Sequence, residues 1–185
     1  MRTFIAIDLD DSLKKALEAL VGELTPLAKS VRWTRAAGMH MTLKFLGEIA
    51  EADAARVIST LEEVAPRHPI FDLVLEGTGA FPPGRRDPRI LWVGAVPEPP
   101  LLALQEDIEK GMEKLGFERE KRRFHPHLTL GRVKFSSGID SLVQELKKYQ
   151  DHMFGGMSVQ KFTFFQSTLK PSGAEYSVLK EFHLA

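Results

Sequence analysis

The chain reads as an α+β fold, a layered sandwich of strands and helices built by internal duplication around one shared cleft. Three observations predict this class. The tetrapeptide His40-Met41-Thr42-Leu43 returns as His127-Leu128-Thr129-Leu130, 87 positions later in a chain of 185 residues. Strand-like runs and amphipathic helical stripes alternate through both halves in the order β-α-β-β-α-β-β-α-β-α-β-β. No low-complexity tract or long linker divides the halves, so residues 1–185 are expected to form one bilobal unit, with one motif copy in each half.

The elements follow in order. Phe4 to Leu9 is an apolar run with the length of a strand buried on both faces, and Asp10-Asp11 supplies capping carboxylates for a helix. Leu13, Ala16, Leu17, Leu20, Val21, Leu24 and Leu27 then recur at helical steps, which predicts a stripe packed on a sheet. Val31 to Thr34 is a short edge-strand candidate, and Gly38 punctuates the chain before the first motif. From His40 to Leu46, period-2 alternation puts His40, Thr42 and Lys44 on one face and Met41, Leu43 and Phe45 on the other. Ala54, Ala55, Ile58, Leu61, Val64 and Ala65 mark a second helix closed by Pro66. Phe71–Leu75 and Ile90–Val96 are strands, joined by a Gly/Pro-rich basic loop over 77–89. A third helix runs from about Pro100 to Leu115 and stops at Gly116, placed as a C′ residue. After the second motif, Asp140 is the expected cap of a short helix carrying Leu142, Val143, Leu146 and Tyr149. Val159 to Leu169 and Tyr176 to Leu184 read as the closing strands.

Composition narrows the function. Lys plus Arg equals Asp plus Glu at 25 each, so no global positive field would hold long duplex nucleic acid by counterion release, and an RNA or DNA substrate has to be recognised locally. The sequence has no Cys, which excludes a thiol nucleophile and thiolate metal ligands and suits a reducing compartment. An acidic residue follows Phe4-Ile5-Ala6-Ile7 before a signal-type apolar region forms, and no apolar run approaches a membrane span of ~20 residues. A soluble, cytoplasmic protein without a membrane partner is expected.

The repeated motif carries the chemistry. In a strand, residues i and i+2 share a face at about 6.5–7 Å, so an H-x-T unit sets an imidazole beside a hydroxyl. Histidine is the side chain able to accept or donate a proton near neutral pH, and a facing pair can divide the work of base and acid. The threonine hydroxyls are neutral donors suited to a phosphate oxyanion. This is an apparatus for phosphodiester chemistry without a metal. The competing use of the same residues is a metal site of three imidazoles from His40, His125 and His127, but no carboxylate lies in motif spacing with them. His125 is expected to support rather than react, and His68, His152 and His183 are expected to face solvent.

These residues resemble the 2H phosphoesterase superfamily, defined by paired H-x-[TS]-x motifs, and more narrowly its bacterial and archaeal RNA 2′,3′-cyclic phosphodiesterases, also called 2′-5′ RNA ligases. The resemblance runs along nearly the whole chain. It includes Arg2-Thr3-Phe4-Ile5-Ala6-Ile7-Asp8, His40 to Glu48, Gly79-Ala80-Phe81-Pro82 with Arg89-Ile90-Leu91-Trp92, Pro126 to Arg132, and Ser167-Thr168-Leu169-Lys170-Pro171-Ser172-Gly173 with Tyr176. It implies two antiparallel sheets facing across a central cleft, helices outside, and no cofactor. It also implies hydrolysis of RNA 2′,3′-cyclic phosphate ends to 2′-phosphomonoesters, with tRNA fragments among the candidate substrates and no protein partner. His127 is assigned as base toward water and His40 as acid toward the departing O3′, with Thr42 and Thr129 on the non-bridging oxygens; the reverse reaction with a 5′-hydroxyl would form a 2′-5′ linkage. The alternatives are another 2H activity on small nucleotide cyclic phosphates, such as ADP-ribose 1″,2″-cyclic phosphate, and a binding module for RNA ends.

Weaker assignments complete the set. Phe81, in the long loop, is a candidate to stack on the terminal base, or else a loop anchor. Arg132 is a candidate phosphate contact, yet alternation from His127 and Thr129 turns it to the opposite face unless the strand is bulged. Lys44 has the parity of His40 and Thr42. Arg85, Arg86, Arg119, Lys121, Arg122 and Arg123 are candidates to line an RNA approach.

Overall fold

A computed structural model describes residues 1–84 and 87–185. Arg85 and Arg86 lie outside the described residues. The strands are β1 (Arg2–Asp8), β2 (Val31–Trp33), β3 (His40–Glu48), β4 (Phe71–Phe81), β5 (Ile90–Ala95), β6 (His127–Val133), β7 (Met153–Val159), β8 (Lys161–Lys170) and β9 (Gly173–His183). The helices are α1 (Asp11–Leu24), α2 (Glu51–Val64), α3 (Pro99–Lys114) and α4 (Asp140–Lys147).

All strand pairings are antiparallel, in two sheets ordered β3-β1-β8-β9 and β2-β6-β5-β4-β7. Each motif therefore sits in its own sheet, β3 in the first and β6 in the second, and these two strands approach each other where the sheets meet. Helices α2 and α3 pack together behind the first sheet, against β9 and β3, while α1 and α4 back the second, against β7 and β4. Among the described residues no helix is long and apolar enough to cross a membrane.

The division into sequence halves does not survive. The first sheet joins β1 and β3 to β8 and β9 from the far end of the chain, and the second takes β2 from the beginning. The duplication is one of sheets, with the chain passing repeatedly between them. Ile5, Ile7 and Phe164 of one sheet and Leu73, Leu91 and Leu130 of the other belong to a single apolar cluster, so burial ties the sheets together.

Local chemistry explains most boundaries. Asp10 caps α1 through Leu13 N–H at 2.9 Å, and Leu13, Leu17, Leu20 and Leu24 form its buried face. The expected extension to Leu27 is a separate 3₁₀ turn, Thr25–Leu27, because Pro26 has no N–H to continue the α-helical ladder. Gly116, with φ +95°, ends α3 as expected. One strand expectation needs correction, and one strand was not expected. β4 does not end at Leu75 but continues through Gly77 and Gly79 to Phe81, so the first part of the expected loop is strand. The expected strand from Val159 to Leu169 is β8, beginning at Lys161 in the first sheet; β7, which ends at Val159 and edges the second sheet, was not expected. The pair Gly155-Gly156 hides β7 in the sequence. A side chain on Gly156 would stand 3.1 Å from the Leu73 carbonyl oxygen, so glycine here lets β7 approach β4.

Candidate active site

Both motif strands carry the same irregularity. In β3 the pairing with β1 passes from Ala6 opposite Thr42 to Ile5 opposite Lys44, leaving Leu43 as an extra residue. In β6 the pairing with β5 passes from Trp92 opposite Thr129 to Leu91 opposite Gly131, leaving Leu130 extra. Each bulge thus falls three residues after the motif histidine. Its carbonyl is engaged in both cases: Leu43 O accepts from Gln105 Nε2 at 3.3 Å, and Leu130 O accepts from Thr34 N–H at 2.8 Å. A bulge reverses the alternation beyond it.

That reversal corrects two expectations. His40 and Thr42 share one face of β3, but Lys44 turns inward, 6% exposed, where Nζ donates to both Glu109 oxygens at 3.0 and 2.9 Å and to Glu118 O at 3.1 Å. Phe45, expected in the core, is exposed at 66%, on the face of His40 and Thr42. In β6 the same reversal leaves Gly131 and Val133 buried and Arg132 exposed. Arg132 therefore has the parity of His127 and Thr129, contrary to simple alternation.

His40 rests in an aromatic nest. Its ring stacks on Phe4 at 4.8 Å and on Phe165 at 5.4 Å, with Tyr176 edge-on at 5.0 Å. Phe4, Ala6 and Phe165 form a small buried cluster apart from the main core. Ala6 stands between Phe4 and Asp8 on this face, and its small side chain leaves room for the histidine and phenylalanine rings to meet. Burial opposes the charged imidazolium and brings the His40 pKa down to about 4; the Asp8 carboxylate works against this and Lys14 adds to it.

His127 is held differently. Its Nδ1 lies 2.6 Å from the His125 carbonyl oxygen. Because a carbonyl only accepts, Nδ1 carries the proton and Nε2 is the nitrogen left for chemistry. Burial lowers its pKa from the ordinary histidine value, while the carbonyl bond raises it and the neighbouring His125 adds to the lowering. Phe81 meets the His127 and His125 rings edge-on at 5.4 and 5.8 Å and leans on Trp92 at 5.4 Å. It is the last residue of β4 rather than a loop residue. A side chain on Gly79 would collide with the Trp92 ring at 2.2 Å, so glycine there seats the indole.

Other assignments separate from the site. Arg119 pairs with Glu106 and Glu113 at 40% side-chain exposure, and Lys121 pairs with Glu118, so part of the basic run before the motif is neutralised locally. Arg122 and Arg123 are exposed. His68, expected in solvent, is buried, with Nε2 2.7 Å from Asp107 Oδ2; His152 and His183 are exposed. Among the described residues no group of three or more His, Asp or Glu side chains is arranged to hold a metal ion. Sequence reasoning missed Phe4, Phe165 and Tyr176 around His40, and Trp92 beside His127. The signal available was the parity of Phe4 with Asp8.

Comparison with known proteins gives the family and agrees with the fold. The model of the 2′-5′ RNA ligase superfamily matches residues 6–166. A protein of Archaeoglobus fulgidus named RNA 2′,3′-cyclic phosphodiesterase is 38% identical over 98% of this chain and 99% of its own. A Methanocaldococcus jannaschii protein of the same name is 31% identical over 98% and 99%. Among solved structures, a Thermus thermophilus protein superposes with a TM-score of 0.85 at 28% identity, covering 100% of this chain and 98% of its own. Escherichia coli LigT, 24% identical with a TM-score of 0.81 over 99% and 97%, shares the fold.

Proposed function

The chain belongs to the 2′-5′ RNA ligase superfamily, and from that premise we propose that it hydrolyses RNA 2′,3′-cyclic phosphate ends to 2′-phosphomonoesters by two-histidine acid–base catalysis. The observation that carries the reading is the equivalent placement of the two H-x-T units. Each stands on its own sheet with imidazole and hydroxyl on one face of its strand, and each is followed by a bulge at the same position.

The environments favour His40 as base and His127 as acid, the reverse of the assignment made from sequence. A base must start neutral. His40, with its pKa brought down to about 4, is almost wholly neutral at pH 7. An acid must start protonated; burial lowers the His127 pKa too, so the protonated fraction is the competent one, and in it the imidazolium keeps Nδ1–H on the His125 carbonyl while offering Nε2–H to the leaving oxygen. Phe81, Trp92 and His125 beside His127 make a platform for the terminal base, which brings the ribose, and with it O3′, to the acid's side.

The step then balances. Water attacks phosphorus and His40 takes its proton; the P–O3′ bond breaks with its electron pair on O3′, and His127 Nε2 supplies the proton. Thr42 and Thr129 hydroxyls, neither hydrogen-bonded through its side chain among the described residues, donate to the non-bridging oxygens as charge shifts onto them. With a 5′-hydroxyl of a second RNA in place of water, the same ring opening, with P–O5′ formed and P–O3′ broken, leaves a 2′-5′ linkage.

The test is incubation with an RNA ending in 2′,3′-cyclic phosphate in the presence of EDTA. A 2′-phosphate product is expected; a 3′-phosphate would overturn the leaving-group geometry, and no turnover would overturn the activity.

A further inference from the structure

Among the described residues seven large apolar side chains are exposed, and four of them, Phe45, Leu169, Tyr176 and Val178, stand on one face of the first sheet. The register puts them there. Phe45 lies opposite Phe4, Phe4 opposite Phe165 and Phe165 opposite Val178, with Ser167 opposite Tyr176 and Leu169 opposite Ala174 farther along the hairpin. One apolar row thus crosses all four strands, buried at Phe4 and Phe165 and open to water at both ends, Phe45 at 66% and Val178 at 56%. Apolar side chains gathered in the open mark a surface that a ligand or partner covers. The row is continuous with the catalytic face: the Phe4 ring stacks on His40 at 4.8 Å and meets Phe45 at 6.0 Å, so Phe45 is one ring out from the base. Arg2, on the same face by alternation from Phe4, is exposed and makes no ion pair or side-chain hydrogen bond among the described residues.

We infer that this face seats the first nucleoside of a second RNA, the strand whose 5′-hydroxyl takes the place of water. The inference rests on the phosphodiesterase reading and on His40 as its base. Water needs no apolar seat. A 5′-hydroxyl arrives attached to a sugar and a base, and the width of the sugar separates an oxygen at His40 from a base lying on Phe45. Aromatic rings hold a base by its face whatever its identity, and Arg2 offers a cation to the phosphate that follows. His40 takes the proton of the 5′-hydroxyl as the P–O5′ bond forms; the P–O3′ bond breaks with its electron pair on O3′, and His127 supplies the proton there. The two strands are then divided between the sheets, the cyclic-ended one on Phe81 and Trp92 and the 5′-hydroxyl one on Phe4 and Phe45.

The experiment mixes a dinucleotide ending in 2′,3′-cyclic phosphate with one of two acceptors, a dinucleotide with a free 5′-hydroxyl or the same acceptor with an abasic first residue. The readout is the ratio of 2′-5′-joined product to 2′-phosphate. For the wild type this ratio is expected to be about 5-fold or more higher with the base than without it, the lower end of what one base–aromatic stack contributes. Phe45→Ala is expected to remove that difference and to leave hydrolysis in the absence of acceptor unchanged; Phe45→Trp is expected to keep it. Equal ratios of the wild type with both acceptors overturn the seat, as does hydrolysis without any joined product. A loss of hydrolysis and joining alike in Phe45→Ala overturns it too, placing Phe45 in the support of His40. A dimer in solution that Phe45→Ala dissociates makes the face a contact between copies of this chain and overturns the seat as well. Should the wild type neither hydrolyse nor join, the phosphodiesterase reading itself fails. The seat is then decided by titrating the wild type with the two acceptors alone, where equal affinity overturns it.

Discussion

His40 and His127 open matching motifs, but one leans on phenylalanine faces and the other donates to a carbonyl, and their acidities part accordingly. With His40 as base, kcat/KM falls as pH drops through about 4, where His40 gains its proton. With His127 as acid, kcat/KM falls as pH rises through a value below the ordinary histidine pKa, since burial lowers it. The expected profile is a bell on the acid side of neutrality. A bound phosphate anion stabilises both imidazoliums, so the alkaline limb of kcat is expected at higher pH than that of kcat/KM. A profile flat from pH 4 to 8 would remove both groups from the rate. Swapping the two roles predicts the same bell, so the assignment needs a different readout. His40→Ala and His127→Ala should each cost on the order of 10²- to 10⁴-fold or more. A substrate with sulfur as the bridging 3′ atom leaves as a thiolate and needs no acid. It should restore His127→Ala and not His40→Ala, and the opposite pattern would return the base to His127. Thr42→Ala or Thr129→Ala should lose about 10- to 10³-fold, mainly in kcat, because each removes one neutral donor from a charged transition state.

At the scale of the element, the bulged strand sets what the sequence discloses. The faces of His40, Thr42, His127 and Thr129 were legible because alternation holds within each tetrapeptide. Beyond Leu43 and Leu130 the inserted residue inverts it, so Lys44 and Phe45 were misread and Arg132 takes the face that the sequence allowed it only in a bulged strand; nothing in L-K-F or L-G-R announces a bulge, which depends on Gln105 and Thr34 arriving from elsewhere. Similarly β7 was invisible, since its glycines suit close strand contact and carry no apolar signal. Lys44 shows what the inversion entails. Lys44 and Glu109, 6% and 4% exposed, fix β3 to α3 behind the face that carries His40 and Thr42. Lys44→Ala leaves Glu109 buried without its cation and should cost about 3–5 kcal/mol in urea unfolding. The double variant Lys44→Met with Glu109→Leu removes both charges and should recover most of that stability. If the double variant is no better than the single, the cost lies in lost packing around the lysine stem rather than in the orphaned carboxylate.

The whole molecule has two sheets but not two halves. β1 and β3 are completed by β8 and β9, so the first sheet cannot close until the far end of the chain has returned to it. α1 follows β1 of one sheet yet packs against β7 of the other. A lobe that unfolded alone would have to release strands from both ends of the sequence and expose its side of the shared apolar cluster. We therefore expect residues 1–185 to unfold as one cooperative unit. The two tryptophans give a clean test, because Trp33 in β2 and Trp92 in β5 both report the second sheet. Amide exchange at Ile5 and Phe164, in β1 and β8, reports the first. In a urea titration the tryptophan emission and the protection of those two amides should share one midpoint. A lower midpoint for the amides would mean that the sheet bearing His40 opens while the sheet bearing His127 stands, and the two lobes would then be separate folding units despite their common core.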